Sequence, residues 1–80
     1  MDVKRDVLIF LKKDILEDES IRIGEQDELL TTGLIDSVNL IRTVRYLEKK
    51  FKIDIPFEDI TLENFRSIHS IEYYVRGKLN

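Results

Sequence analysis

Between Ser37 and Phe51 the apolar residues Leu40, Val44, Leu47 and Phe51 recur so that, at 100° per residue, they fall within one narrow arc of a helix, with Ile41 on its flank. That stripe demands an apolar partner surface. The opposite arc carries Val38, Arg42, Arg45 and Lys49, an apolar residue at the head of a basic row. Two further stretches repeat the periodicity. Val3, Val7, Leu8, Leu11 and Ile15 mark a first helix from Val3 to about Glu17 with Asp2 as its N-cap. Ile9 and Leu16 lie off its stripe and suggest contact on two sides. Ile68, Ile71, Val75 and Leu79 mark a last helix capped by Ser67, with Tyr74 flanking the stripe, Tyr73 pointing outward and Gly77 weakening the final turn.

The connections are unequal. Asp18 to Asp36 reads as a long ordered loop, exceeding the usual link between bundle helices, with Ile21, Ile23, Leu29, Leu30 and Leu34 available to pin it to the core. Within it Asp27 is placed to cap a single turn that Gly33 helps to end. After the second helix, Lys52-Ile53-Asp54-Ile55-Pro56-Phe57 reads as an extended, partly buried connector. Thr61 then caps a turn or so of helix anchored by Phe65. The expected fold is all-α: a small four-helix bundle of three main helices and one short helix, with a long first loop.

Eighty residues bury roughly 60–65% of the surface of the unfolded chain, enough for a single domain over residues 1–80 and too little for a second core. Hydrophobic residues at 42% beside charged residues at 36% fit a charged helical globule rather than a disordered chain. With no cysteine, the chain has no disulfide, thiolate metal site or cysteine nucleophile of its own, so thiol chemistry needs a borrowed thiol. The start of the chain has no apolar signal core and the run Val7 to Leu11 is too short to span a bilayer, so the expectation is a cytoplasmic protein without membrane insertion.

The net charge of −3 argues against general nucleic-acid binding. Yet residues 37–51 hold four cations, Arg42, Arg45, Lys49 and Lys50, against the single carboxylate of Glu48, so basic charge is concentrated on the second helix. A solvated face is the plain reading of such a stripe until something else marks it as a contact surface.

Candidate chemistry is sparse. The one histidine, His69, lacks a carboxylate pair nearby in sequence, so no metal site is expected. A triad of Ser37, His69 and Asp36 would ask adjacent residues to fill separate orienting and nucleophilic roles, which a helix start does not readily allow. Gly24, Gly33 and Gly77 are isolated and form no phosphate-cradling motif. Asp36 and Ser37 are both good N-caps, so the pair alone says little.

In its setting the pair says more. Gly33-Leu34-Ile35-Asp36-Ser37-Val38, after a long loop and before an amphipathic helix, closely resembles the signature of the acyl and peptidyl carrier proteins. Phe51-Lys52-Ile53-Asp54-Ile55-Pro56 looks like that family's connector, and Thr61 to Ile68 resembles the matching stretch of stand-alone and nonribosomal-peptide-type carriers. The resemblance covers nearly the whole chain.

It implies a carrier, without catalysis of its own, that holds acyl, aminoacyl or related intermediates as thioesters. The arm would be 4′-phosphopantetheine, donated from coenzyme A to Ser37 by a separate phosphopantetheinyl transferase. Asp36 would help that transferase align the site. Val38, Arg42, Arg45 and Lys49 would meet partners: an acyl- or aminoacyl-loading ligase or transferase, then downstream enzymes of fatty-acid, polyketide or nonribosomal-peptide biosynthesis. A monomer is expected.

One departure stands out. Housekeeping fatty-acid carriers present an acidic second helix, whereas Arg42 and Arg45 reverse the sign, which points to a specialised carrier. The rival expectation is a small helical adaptor that binds a partner through the basic face, with Ser37 only an N-cap.

Overall fold

The computed structural model describes residues 2–80, which contain four α-helices and, among those residues, no strand. The first, α1 (Val3–Phe10), begins where expected: the Asp2 carboxylate accepts a hydrogen bond from Arg5 N at 3.0 Å. It runs without a break into one wider turn of π-helix, Leu11–Ile15, and Asp18 N then donates to Lys12 O at 2.9 Å around a left-handed Glu17 (φ 52°). Val3, Val7, Leu11 and Ile15 are buried, as their spacing predicts. Ile9 is not part of a second contact side; it is 48% exposed, while Leu16 does pack against the core.

The long loop is tied both to the rest of the fold and to itself. Leu29 is fully buried and its N–H donates to Arg66 O at 2.8 Å, Ile35 N donates to Leu29 O at 2.9 Å, and His69 N donates to Glu25 O at 2.9 Å. The last bond satisfies an N–H at the start of the final helix, where intrahelical acceptors are missing. Lys4 Nζ reaches Glu25 at 2.7 Å and Glu72 at 3.5 Å, tying the loop to the first and last helices together. Asp27 does not cap a following turn as expected: its carboxylate accepts from Gly24 N at 2.8 Å, closing the turn that precedes it.

Helix α2 (Ser37–Phe51) buries Val44, Leu47 and Phe51, with Leu40 half-buried against the core. Two details differ from the periodic reading. Ile41 is 41% exposed, and Thr43 is fully buried, its hydroxyl donating to Asn39 O at 2.8 Å so that no polar group is left unsatisfied. The helix ends at Lys52, held left-handed (φ 54°), where the Lys52 and Ile53 amides both donate to Glu48 O.

Ile55 of the connector is buried, its N–H donating to the Glu48 carboxylate at 3.0 Å. Pro56 then starts a 3-10 turn, Phe57–Asp59, that the sequence did not announce, and Phe57 is 84% exposed. Thr61 and Ser67 cap α3 (Leu62–Phe65) and α4 (Ile68–Leu79) as read, accepting from Asn64 N and Ser70 N. Phe65, Ile68, Ile71 and Val75 are buried; Leu79 extends past the core and is exposed. Helix α4 is the hub, with α1, α2 and α3 all packed on it. Among the described residues no helix is long and apolar enough to cross a membrane.

Candidate functional site

The start of α2 resolves the ambiguity of the Asp36-Ser37 pair. Asp36 has extended backbone angles (φ −94°, ψ −178°), its carboxylate accepts from Asn39 N at 2.8 Å, and its carbonyl accepts from Leu40 N at 2.8 Å. Asp36 is therefore the cap and Ser37 the first helical residue. This corrects the reading in which Ser37 serves as the N-cap. The Ser37 side chain is exposed, and among the described residues no hydrogen bond engages its hydroxyl.

What holds that hydroxyl in place lies just upstream. Ile35, 3% exposed, anchors the chain one residue before the cap. Before it, Gly33 N donates to Leu30 O at 3.1 Å and the Thr32 hydroxyl donates to Glu28 O at 2.8 Å, folding residues 28–33 into a compact turn. Gly33 adopts φ +78° with open space around it, so its backbone angle rather than crowding favours glycine there.

Val38, next to the serine, is 69% exposed, and Arg42, Arg45 and Lys49 are exposed along the same face, as the angular reading has it. They are not equivalent. The Arg42 guanidinium donates to Asp14 O at 3.1 Å and to Asn39 Oδ1 at 3.3 Å, bridging α2 to the end of the first helix. Asp14 lies in that helix's final turn, where carbonyls lack intrahelical donors and a cation is favoured. Arg45 and Lys49 have no such tie among the described residues and project freely.

Beside this row lies a pair the periodicity missed. Phe10 and Tyr46 stack with ring centroids 4.1 Å apart and planes 10° from parallel, and Tyr46 OH donates to Asp6 O at 3.2 Å. Burial, then the nearby charges of Asp6 and Asp14, push the Tyr46 phenol above its ordinary pKa. Nothing local to either residue signals this contact; only the docking of α1 on α2 creates it. With Asp14, Arg42, Arg45 and Lys49 the two rings line a shallow groove of about 380 Å³.

His69 is exposed, and its backbone N–H rather than its ring is engaged. Among the described residues no hydrogen bond joins it to Ser37 or Asp36, and no group of three His, Cys, Asp or Glu side chains gathers in a metal-binding arrangement. The site thus offers an accessible hydroxyl to which, among the described residues, no base is hydrogen-bonded. Such a hydroxyl suits modification in another enzyme's active site.

Comparison with known proteins bears on the chain as a whole. The family model described as "Phosphopantetheine attachment site" matches residues 6–75. The chain is 37% identical to aminoacyl carrier protein 1 of Bradyrhizobium diazoefficiens, over 94% of this chain and 84% of that protein. It is 30% identical to a D-alanyl carrier protein of Streptococcus suis, over 89% of this chain and 87% of the relative. A four-helix globule whose second helix opens on an unengaged, exposed serine fits the covalent bond that such carriers make to their cofactor. The chain belongs to the phosphopantetheine-attachment family, the carrier proteins that bear 4′-phosphopantetheine covalently.

Proposed function

We propose that Ser37 bears the 4′-phosphopantetheine arm and that residues 1–80 act as one stand-alone carrier domain for an aminoacyl cargo, catalysing nothing themselves. The observation that carries this reading is the division of roles at the helix start. Asp36 supplies the cap, so Ser37 Oγ is exposed and free to attack coenzyme A in the transferase's site. In that step a bond forms from Ser37 Oγ to the phosphorus of the pantetheine phosphate, the hydroxyl proton passes to a base of the transferase, and adenosine 3′,5′-bisphosphate leaves. When bound, the arm supplies the thiol that the cysteine-free chain lacks, and cargo rides there as a thioester. Tethering sets a high local concentration at each enzyme the carrier visits.

The remaining residues divide by what they hold. Asp36 fixes the helix start and offers its carboxylate edge to the transferase. Val38, Arg45 and Lys49 meet partner enzymes, and Arg42 braces the face from behind. An aminoacyl cargo is supported by the two relatives, whose names specify aminoacyl and D-alanyl carriage. The basic α2 supports a specialised pathway, because like charges disfavour enzymes built for acidic carriers.

The test is mass spectrometry after incubation with coenzyme A, magnesium and a broad-specificity phosphopantetheinyl transferase. Wild type is expected to gain one arm and Ser37→Ala none; an unmodified wild type beside a labelled control carrier would overturn the reading. Loading of the modified protein by an amino-acid-activating ligase, with poor extension by fatty-acid synthase enzymes, is the expected cargo result. Efficient fatty-acyl extension would overturn the specialised role.

A further inference from the structure

The two sides of α2 differ in charge. Toward the 3-10 turn a groove of about 330 Å³ is lined by Ile41, Ile55 and Phe57 among others, and there Arg45 and Glu48 offset each other. Toward α1, the groove that holds the Phe10–Tyr46 stack carries three cations, Arg42, Arg45 and Lys49, against the one carboxylate of Asp14. Both rings are half-buried while the cations are exposed, so an apolar floor lies under a basic rim. The groove also adjoins the face headed by Val38, beside the serine.

From this we infer that the α1–α2 groove is a docking site for a partner segment that inserts one apolar side chain onto the Phe10–Tyr46 stack and sets carboxylates against Arg45 and Lys49. The inference rests on the carrier reading for the existence of a partner and deepens it by naming that partner's surface chemistry. Charge complementarity selects the occupant. A basic segment would meet the cationic rim, and a purely polar one would leave the exposed edges of the rings uncovered. Arg42, held by the Asp14 carbonyl, keeps α1 in place as the far wall of the groove. Arg45 and Lys49 are the cations free to turn toward the partner.

The probe is a blocked amphipathic peptide with a central phenylalanine flanked by glutamates, titrated into the full isotope-labelled chain and followed by amide chemical shifts. Shifts are expected at Phe10, Arg45, Tyr46 and Lys49, weakening as salt is raised. Arg45→Glu combined with Lys49→Glu is expected to weaken binding about tenfold, as the loss and reversal of two exposed ion pairs would give. A thermal melt of that variant establishes that it is folded.

Shifts gathering at Ile41 and Phe57 instead would overturn the inference. So would equal binding of a peptide with lysines for glutamates, equal binding of one with alanine for phenylalanine, or no shift at all. Arm attachment, read by mass on the same samples, separates the two readings: normal attachment without groove binding overturns only the groove, whereas groove binding without attachment overturns only the carrier role.

Discussion

Asp36 accepts the hydrogen bond from Asn39 N that opens α2, so Asp36→Ala is expected to cost about 1 kcal/mol in urea denaturation. Ser37→Ala, removing a hydroxyl with no hydrogen-bond partner among the described residues, is expected to stay within about 0.5 kcal/mol of wild type. Equal costs at the two positions would mean that the serine shares the cap. Tyr74 gives a pH-dependent case. Its hydroxyl donates to Asp59 Oδ2 at 2.6 Å, and burial, then that carboxylate, push the phenol well above its ordinary value of 10.0. The folded chain thus holds the proton to higher pH than the unfolded chain does. Tyr74's contribution is fully present below pH 10 and is lost as pH rises from there toward the raised folded value. Tyr74→Phe is expected to lower stability at neutral pH by about 1 kcal/mol and to flatten this alkaline decline, checked by urea unfolding across the alkaline range. Among single residues, the caps Asp2, Thr61 and Ser67 were legible because a cap is written in its own few residues. The choice between Asp36 and Ser37 was not, since both residue types suit a cap and the Asn39 N–H to Asp36 carboxylate bond is what distinguishes them.

At the scale of helices, two ends close without glycine. Glu17 and Lys52 take left-handed backbone angles after the first helix and after α2, a conformation that disfavours any side chain with a Cβ. Lys52→Gly is expected to raise stability by about 1 kcal/mol in a thermal melt, because the left-handed strain relieved exceeds the entropy glycine adds to the unfolded chain. Destabilisation would mean that the lysine side chain holds the connector. The apolar spacing placed the three long helices correctly, yet it did not foresee the π-turn at Leu11–Ile15, since a buried Leu11 and Ile15 four apart fit either winding. Nor could it separate Leu40, packed on the core, from Ile41, exposed: both fall near the apolar arc, and the position of neighbouring elements decides which one is covered. Leu79 departs from its expected core position for the same reason: it lies in the last turn of α4, past the core, and is 39% exposed.

Over the whole molecule, the long loop behaves as part of the fold rather than as a tether. Hydrogen exchange is expected to show the Leu29, Ile35 and His69 amides protected nearly as well as those of the helix interiors, with the exposed Glu19 and Arg22 amides exchanging far faster. Uniformly fast exchange across the loop would mean that Ser37 is not held from upstream. The signature at Gly33 to Val38 made the proposed attachment site legible in the sequence, but the groove beside it was not, because it needs Phe10 and Tyr46 brought together from different helices. The three amide ties of the loop join backbone to backbone: Leu29 to Arg66, Ile35 to Leu29 and His69 to Glu25. None of them depends on the side chains at Glu19, Arg22 or Gln26, which are exposed. The spelling of that surface can therefore drift, through substitutions that alter its charge or its appeal to a given enzyme, while the path of the chain into α2 stays the same.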